Sequence, residues 1–372
     1  MKRRQLLGNM ALSASAATVA ACTNGAGPAS STGDGDATSS LPSVQWRMAT
    51  SWPKSLETIF GGAQEVCDRV AAMTGGKFTI TPYAAGEIVG GLEVFDAVQS
   101  GSVECGHTSG YYYTGKNKAF AFSTAVPFGL TAQQQNAWLY QGGGLDLMNE
   151  VYAQFGMLAL PAGNTGAQMG GWFKNEINSL SDLQGLKMRL PGIGGDVMAG
   201  LGVNVQVLPG GEVYLALDRG TIDAAEWVGP ADDEKLGLQN AAQFYYYPGW
   251  WEPGATLDVQ VNKAQWDRLP VEYQEIFKTA TYQANANMLA KYEALNREAL
   301  QRLVDGGTQL RAYSPEILKA AQEGSADLLN QFASQDAAFK KVFDQWNAFR
   351  EQVSAWNAIN ELSYESFVAP EV

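Results

Sequence analysis

Apolar and polar residues alternate with two different periods between residues 44 and 269 of the chain. Short stretches in which every second residue is apolar or β-branched predict strands, and longer stretches with apolar residues three and four apart predict helices. The predicted strands cover 44–49, 77–83, 186–189, 204–207 and 221–225, a further strand starts within 101–105, and the predicted helices cover 56–73, 91–100, 194–201 and 211–219. Strands that alternate with helices in this way predict an α/β fold with mainly parallel sheets.

One pattern occurs twice, in residues 97–104 and 216–223. Each copy reads as a helix end, a glycine, a small hydroxyl residue, a β-branched residue and an acid. Each leads directly into an aromatic segment, which is the tyrosine run 111–113 in the first copy and Glu226-Trp227 in the second. Ligands of open α/β sheets bind beyond the carboxyl ends of the strands, so both segments are expected to face one cleft.

The pattern becomes strongly helical after residue 262. Residues 270–304 form one long charge-laced helical stretch, and a Ser-Pro pair at 314–315 opens further helices that run to about residue 366. Such helices serve as a strut, as support behind a hinge or as a dimer surface, or they simply cover the sheets. We therefore predict a two-domain α/β protein with an interdomain cleft. Domain I covers 44–165 and is joined by helices from 300–372, whereas domain II and a spanning helix cover 166–300.

The first 43 residues are set apart from this body. A basic start at residues 2–4 and a short apolar stretch predict a signal peptide over residues 1–21, because the stretch is too short and too polar to span a bilayer. Val-Ala-Ala before Cys22 matches the acylation signal of a lipoprotein, and the Arg3-Arg4 pair fits either twin-arginine or general export. Residues 22–43 are small and polar, which predicts a flexible tether.

Charge and residue counts exclude several classes of function. The formal charge is −13 and no basic run follows the signal, which argues against nucleic acid. Because His107 is the single histidine of the sequence, a zinc site built on histidines is excluded. Cys67 and Cys105 are either two free buried thiols, which we favour, or one disulfide.

Two carboxylates carry the candidate chemistry, because Glu226 and Glu252 each stand beside a tryptophan in apolar or aromatic sequence. Burying such a carboxylate is costly unless a base, a metal ion or an arginine compensates it. Arg189 ends a predicted strand and is expected to grip a ligand carboxylate. Together with a ligand carboxylate, Glu226 and Glu252 would place three negative charges beside one arginine. Either one carboxyl group is then protonated or a cation binds.

Oxygen ligands point to a hard cation. Gln168, Glu226, Glu252 and the carbonyl of Trp227 offer the amide, carboxylate and carbonyl oxygens that Na⁺ or Ca²⁺ prefers. Asn164 lies in the same glycine-rich segment as Gln168, where its amide could serve the ligand or a turn. The alternative is that the two acids form separate, partly exposed ion pairs.

The same residues indicate which class of solute would fit the site. With one arginine and aromatic surroundings, which are formed by Tyr112, Tyr113, Trp227 and Trp251, a small 2-oxo or 2-hydroxy monocarboxylate fits better than a dicarboxylate. A remote alternative is a secreted hydrolase that uses Glu226 and Glu252 as an acid/base pair.

Six segments together resemble the solute-binding proteins of tripartite ATP-independent periplasmic (TRAP) transporters, most of all their α-keto-acid-binding subgroup. The resemblance covers about residues 46–367. The segments are 51–55 (Ser-Trp-Pro-Lys-Ser), 110–113 (Gly-Tyr-Tyr-Tyr), 163–173 (Gly-Asn-Thr-Gly-Ala-Gln-Met-Gly-Gly-Trp-Phe), 185–189 (Gly-Leu-Lys-Met-Arg), 222–230 (Ile-Asp-Ala-Ala-Glu-Trp-Val-Gly-Pro) and 245–252 (Tyr-Tyr-Tyr-Pro-Gly-Trp-Trp-Glu).

The resemblance implies a periplasmic-binding-protein fold and a receptor rather than an enzyme. It implies that Arg189 pairs with the solute carboxylate and that Asn164 and the tyrosine run contact the solute. Gln168, Glu226, Trp227 and Glu252 are implied to hold Na⁺, or Ca²⁺ as in a lactate-binding relative. It further implies delivery to TRAP membrane subunits and a homodimer formed through a C-terminal helix.

Overall fold

A computed structural model describes residues 41–369 of the chain. The predicted signal peptide, Cys22 and the predicted tether up to residue 40 lie outside these residues. The strands are β1 Val44–Thr50, β2 Phe78–Tyr83, β3 Cys105–Thr108, β4 Met157–Asn164, β5 Trp172–Phe173, β6 Lys187–Arg189, β7 Asn204–Gln206, β8 Ala224–Ala225, β9 Phe244–Tyr247, β10 Thr256–Asn262 and β11 Gln309–Ala312.

Most helices lie in the predicted helical regions, but the three between residues 121 and 153 were not predicted. They are α1 Ile59–Met73, α2 Val94–Gln99, α3 Ala121–Thr124, α4 Ala132–Gln141, α5 Gly144–Ala153, α6 Gly192–Gly200, α7 Gly210–Asp218, α8 Pro230–Leu236, α9 Lys263–Trp266, α10 Val271–Asp305, α11 Pro315–Gln335, α12 Ala337–Ile359 and α13 Glu361–Val368. None of the helices in the described part of the chain is long and apolar enough to cross a membrane.

The strands form two sheets. The first has the order β2-β1-β3-β10-β4 and the second the order β11-β9-β5-β8-β6-β7. Both are mixed rather than mainly parallel, because β10 runs antiparallel to β3 and β4, and β5 runs antiparallel to β8 and β9. The chain passes to the second sheet after β4, returns between β9 and β10, and reaches β11 through the 35-residue helix α10.

The repeated pattern has the same backbone in both copies. Gly101 follows the end of α2 with φ +75°, and Gly220 follows the end of α7 with φ +74°. Glycine adopts this left-handed conformation without the steric cost that a Cβ would bring, so both helices end in the predicted way. The strands that follow begin later than predicted, at Cys105 and Ala224.

The C-terminal helices pack on both halves of the molecule. β11 pairs with β9 of the second sheet and α11 packs on α6, whereas α12 packs on α4 and α5. The predicted domain boundaries, with residues from about 300 onward joined to domain I, stay a prediction. Cys67 on α1 and Cys105 on β3 are free buried thiols, as favoured from the sequence.

Candidate functional site

The second sheet and its loops position most of the predicted site residues. Arg189 is the last residue of β6, Glu226 directly follows β8, and Glu252 lies in the loop between β9 and β10. Gln168 lies in the loop from β4 to β5, where its backbone N–H donates to the Glu252 carbonyl oxygen at 3.1 Å. All four side chains are buried.

The Arg189 guanidinium is paired with Glu226. Its Nη1 lies 2.9 Å from Glu226 Oε2 and 2.8 Å from the Glu226 carbonyl oxygen, and its Nε donates to the Leu208 carbonyl. Its Cζ atom lies 5.1 Å from the Trp227 ring centroid. The prediction that Arg189 is reserved for the solute is thus incomplete, because in this structure it also compensates Glu226.

Among the side chains of Arg189, Glu226 and Gln168, three buried atoms have no hydrogen-bond partner within the described residues: Arg189 Nη2, Glu226 Oε1 and Gln168 Oε1. Leaving such groups unsatisfied costs about 1–3 kcal/mol each, and more for charged groups. The guanidinium nitrogen is thus free to donate to an anion, and the two oxygens are free to bind a cation.

Burial makes the two carboxylates hard to ionise together. Burial and then the charge of Glu252 hold the pKa of Glu226 well above its ordinary value, although Arg189 acts in the opposite direction. Burial raises the pKa of Glu252 to about 8 against the opposing effects of Arg189 and of the Tyr111 hydroxyl, which donates to Glu252 Oε2 at 3.3 Å. One arginine therefore faces two acids, and a bound cation would relieve the excess negative charge.

The oxygen atoms of the site are of the kinds that coordinate a hard cation. Glu226, Glu252 and Gln168 supply carboxylate and amide oxygens, the ligand types of Na⁺ and Ca²⁺. No group of three or more His, Cys, Asp or Glu side chains suited to a metal forms anywhere in residues 41–369, so a metal here would also need amide or carbonyl oxygens.

A small cavity lies beside Gln168 and Trp227. Its walls come from α1, from β10 and from loops next to strands of both sheets. Its volume is about 10 Å³, which leaves room for about one water molecule. The lining residues are Trp52, Ile59, Tyr111, Tyr112, Thr165, Gln168, Trp227, Val228 and Leu257.

The backbone of the tyrosine run determines which of its side chains face the cavity. Residues Gly110–Tyr113 form a 3₁₀ helix, in which successive side chains diverge by about 120°. Tyr111 and Tyr112 consequently line the cavity, whereas the Tyr113 hydroxyl is hydrogen-bonded to Thr108 in the core. Tyr113 is therefore replaced by Tyr111 as a candidate contact.

Trp251 and Asn164 also differ from expectation. Trp251 packs against Gly194 and Tyr313 in the core instead of framing the cavity. The Asn164 amide donates to Thr256 Oγ1 and to the Gly254 carbonyl, and its Oδ1 accepts from the Gly166 amide. Asn164 thus holds the 164–168 turn that presents Gln168, which matches the turn alternative.

The family follows from a comparison with known sequences. A profile of bacterial extracellular solute-binding proteins, family 7 (DctP), matches residues 48–336. The chain belongs to this family. Its mixed α/β fold with two sheets and many helices is that of TRAP periplasmic solute-binding proteins.

Several family 7 proteins are similar over most of their length. A monocarboxylate 2-oxoacid-binding periplasmic protein of Nostoc sp. strain PCC 7120 is 64% identical over 369 residues, which are 99% of each chain. A TRAP solute-binding protein of Bordetella bronchiseptica RB50 is 44% identical with a TM-score of 0.87, covering 88% of this chain and 97% of its own; that structure is a dimer with co-purified calcium and picolinate in one site.

A second similar structure, that of a TRAP periplasmic solute-binding protein of Pseudoalteromonas atlantica T6c, holds sodium and pyruvate. It is 38% identical with a TM-score of 0.85 and covers 88% of this chain and 100% of its own. The family is extracytoplasmic, which agrees with the predicted export signal.

Sequence reasoning missed several cavity residues of this family 7 protein. Trp52, Ile59 and Leu257 come from the loop after β1, from α1 and from β10. Ile59 and Leu257 look like ordinary core residues in the sequence. Trp52 carried a usable signal, because it stands in the conspicuous Ser-Trp-Pro segment at 51–53.

Proposed function

We propose that this chain is the extracytoplasmic solute receptor of a TRAP transporter and that it binds a small 2-oxo monocarboxylate such as pyruvate together with Na⁺ or Ca²⁺. The observation that carries the proposal is the buried Arg189–Glu226 pair, which retains a free guanidinium nitrogen and a free carboxylate oxygen beside the unpaired Gln168 oxygen. The solutes and cations of the related proteins from Nostoc, Bordetella and Pseudoalteromonas support it.

Each side chain has a role in this proposal. Arg189 Nη2 binds the solute carboxylate, and Tyr111 and Tyr112 lie along it. Gln168, Glu226, the Trp227 carbonyl and Glu252 would hold the cation. When bound, the cation offsets the excess negative charge and accepts a solute oxygen as a further ligand. The apolar side chains of Trp52, Ile59 and Leu257 line the cavity and would surround a short apolar tail of the solute.

Two rival functions are weaker. A dicarboxylate needs a second cationic anchor, whereas Arg189 is the one cation of the described residues that lowers the pKa of Glu226 or Glu252. A hydrolase needs an acid/base pair open to substrate and water, whereas Glu226 is already held by Arg189. We therefore propose a receptor without catalytic activity, and we keep lactate with Ca²⁺ as the nearest alternative.

Calorimetric titration tests the proposal. Purified protein, depleted of bound acids, is titrated with pyruvate, lactate and succinate in buffers containing Na⁺, Ca²⁺ or neither. We expect stoichiometric pyruvate binding that needs a cation, weaker lactate binding, no succinate binding and no change in the ligand recovered afterwards. Tighter binding of succinate, or turnover of any ligand, would overturn the assignment.

We also propose that Cys22 is acylated and holds the receptor near TRAP membrane subunits. We expect Cys22→Ser to move the protein from the membrane fraction to the soluble periplasmic fraction, because a single cysteine carries the anchor. Immunoblotting of the two fractions measures this. Cys67→Ser, at a buried free thiol, is the control, and it should leave the protein in the membrane fraction.

We further propose a homodimer formed through the C-terminal helices. The end of α12 and α13 exposes several large apolar side chains, of which Phe367 is 89% and Ile359 73% exposed. Exposed apolar groups in such a cluster mark interaction sites. The segment contains Trp356, Ile359, Leu362, Tyr364, Phe367 and Val368.

Charged substitutions test this interface. We expect the double variant Ile359→Lys/Phe367→Lys to sediment as a monomer, because it places charges inside the buried surface. Val271→Lys, at an equally exposed apolar residue outside the segment, should remain a dimer. A wild-type monomer, or a dimer that survives both lysines, contradicts the proposed interface in analytical ultracentrifugation.

A further inference from the structure

The single histidine of the sequence lies directly behind the cavity wall. His107 is a fully buried residue of β3, and its Nδ1 lies 2.6 Å from Trp52 Nε1. Its Nε2 lies 3.2 Å from the Ala162 carbonyl oxygen. Because the indole nitrogen can only donate and the carbonyl can only accept, these contacts require the neutral imidazole with its proton on Nε2. Burial lowers the pKa of His107 to about 4, so this form persists at neutral pH.

Trp52 forms the part of the cavity wall that this histidine holds. The Trp52 ring meets the Trp227 ring edge-on with centroids 6.4 Å apart, and it lies 6.2 Å from the Tyr112 ring. Trp227 in turn lies against the Arg189 guanidinium. A shift of the Trp52 indole would therefore change the space next to the proposed carboxylate anchor.

The Nε2 side of the His107 ring is hydrogen-bonded to β4, the strand that leads into the site. Ala162 belongs to β4, two residues before Asn164, which holds the turn that presents Gln168. The imidazole therefore joins the loop after β1, through Trp52, to the end of β4. A purely apolar residue could fill the same volume, but it would leave the Trp52 N–H without an acceptor in a fully buried place.

We propose that His107 is a positioning residue for solute selection, which fixes the Trp52 indole so that the cavity accepts pyruvate and rejects longer 2-oxo acids. The inference rests on the proposed function and deepens it. His107 touches neither the solute nor the cation in this account, and it acts only through the orientation of Trp52.

Two conservative substitutions separate the two hydrogen bonds of His107. His107→Asn keeps an oxygen near the position of Nδ1 and so keeps the acceptor for Trp52, whereas His107→Gln keeps a donor near Nε2 for Ala162 and loses that acceptor. We expect His107→Asn to retain pyruvate affinity within about threefold and His107→Gln to weaken it roughly tenfold, the size expected when a buried donor loses its acceptor.

The readouts distinguish positioning from general stability. Affinities for pyruvate and for 2-oxohexanoate are measured by calorimetry, thermal stability by calorimetric scanning, and the Trp52 indole N–H by NMR, with Trp52→Phe to assign its signal. We expect the preference for pyruvate to fall in His107→Gln and in Trp52→Phe alike, with no additional loss in the double variant.

Two results would overturn the inference: an equal loss of affinity in His107→Asn and His107→Gln, or unchanged selectivity in His107→Gln although its Trp52 signal has moved. The wild-type titration is evaluated separately. If wild-type protein binds no 2-oxo acid, the proposed function fails, whereas normal wild-type binding with unaffected His107→Gln selectivity removes the inference alone.

Discussion

Arg189→Met is expected to abolish pyruvate binding, with a loss of affinity of at least about a hundredfold. Truncating one partner of a buried, hydrogen-bonded charge pair typically costs about 2–5 kcal/mol. Here the substitution removes the free Nη2, which is the one unpaired positive donor described in the site. The solute carboxylate would then enter a buried space whose charged side chains are all acids. Calorimetric titration with pyruvate measures the loss.

The same substitution should also destabilise the protein, because it leaves Glu226 buried without its partner. The double variant Arg189→Met/Glu226→Gln is the matched control, since it removes both charges together. We expect it to recover most of the thermal stability but none of the pyruvate affinity. If Arg189→Met still bound pyruvate with wild-type affinity, Arg189 could not be the anchor, and the pair would be purely structural.

Backbone features of this chain were readable from the sequence because they depend on local physics. The glycines at 101 and 220 end helices through their positive φ angles, and the long helix α10 follows from an uninterrupted helical stretch. The carboxylates, the arginine and the glutamine of the site were found because polar residues in apolar segments require compensation. Their grouping followed from the rule that strand ends meet at one edge of a sheet.

Side-chain directions were less predictable. Whether Tyr111 or Tyr113 faces the cavity depends on the 3₁₀ geometry of four residues, which a run of three tyrosines does not reveal. The pairing of Arg189 with Glu226 depends on the register between β6 and β8, which places Arg189 opposite Ala225. The roles of Ile59 and Leu257 arise from the meeting of distant segments, so no local pattern indicates them.

The structure also changes what the carboxylates imply. Arg189 must divide its charge between Glu226 and the proposed solute carboxylate, because Glu226 and Leu208 use its Nη1 and Nε and leave Nη2 for the solute. A cation that binds Glu226 would weaken its hold on the arginine and so favour the solute. Cation and solute should then raise each other's affinity by the same factor, as linkage requires.

Glu252→Gln is accordingly expected to weaken pyruvate binding by roughly tenfold or more, because it removes one charged oxygen ligand from the proposed cation site. A purely repulsive carboxylate predicts the opposite, since its neutralisation would tighten the binding of an anion. Titration with pyruvate over a range of Na⁺ and Ca²⁺ concentrations separates the two cases. Glu272→Gln, at an exposed residue of α10, is the control for the change in net charge.

Pyruvate affinity should change with pH in a defined direction if Glu252 binds the cation. Burial raises the pKa of Glu252 to about 8, and a cation binds the ionised form only. Pyruvate affinity of the wild type should therefore fall as the pH drops from about 8 towards 6, because protons increasingly compete with the cation. In Glu252→Gln the affinity should depend less on pH over this range. A wild-type affinity that is flat or rises on acidification, together with tighter binding by Glu252→Gln, would exclude Glu252 as a cation ligand and leave Arg189 as the sole electrostatic anchor.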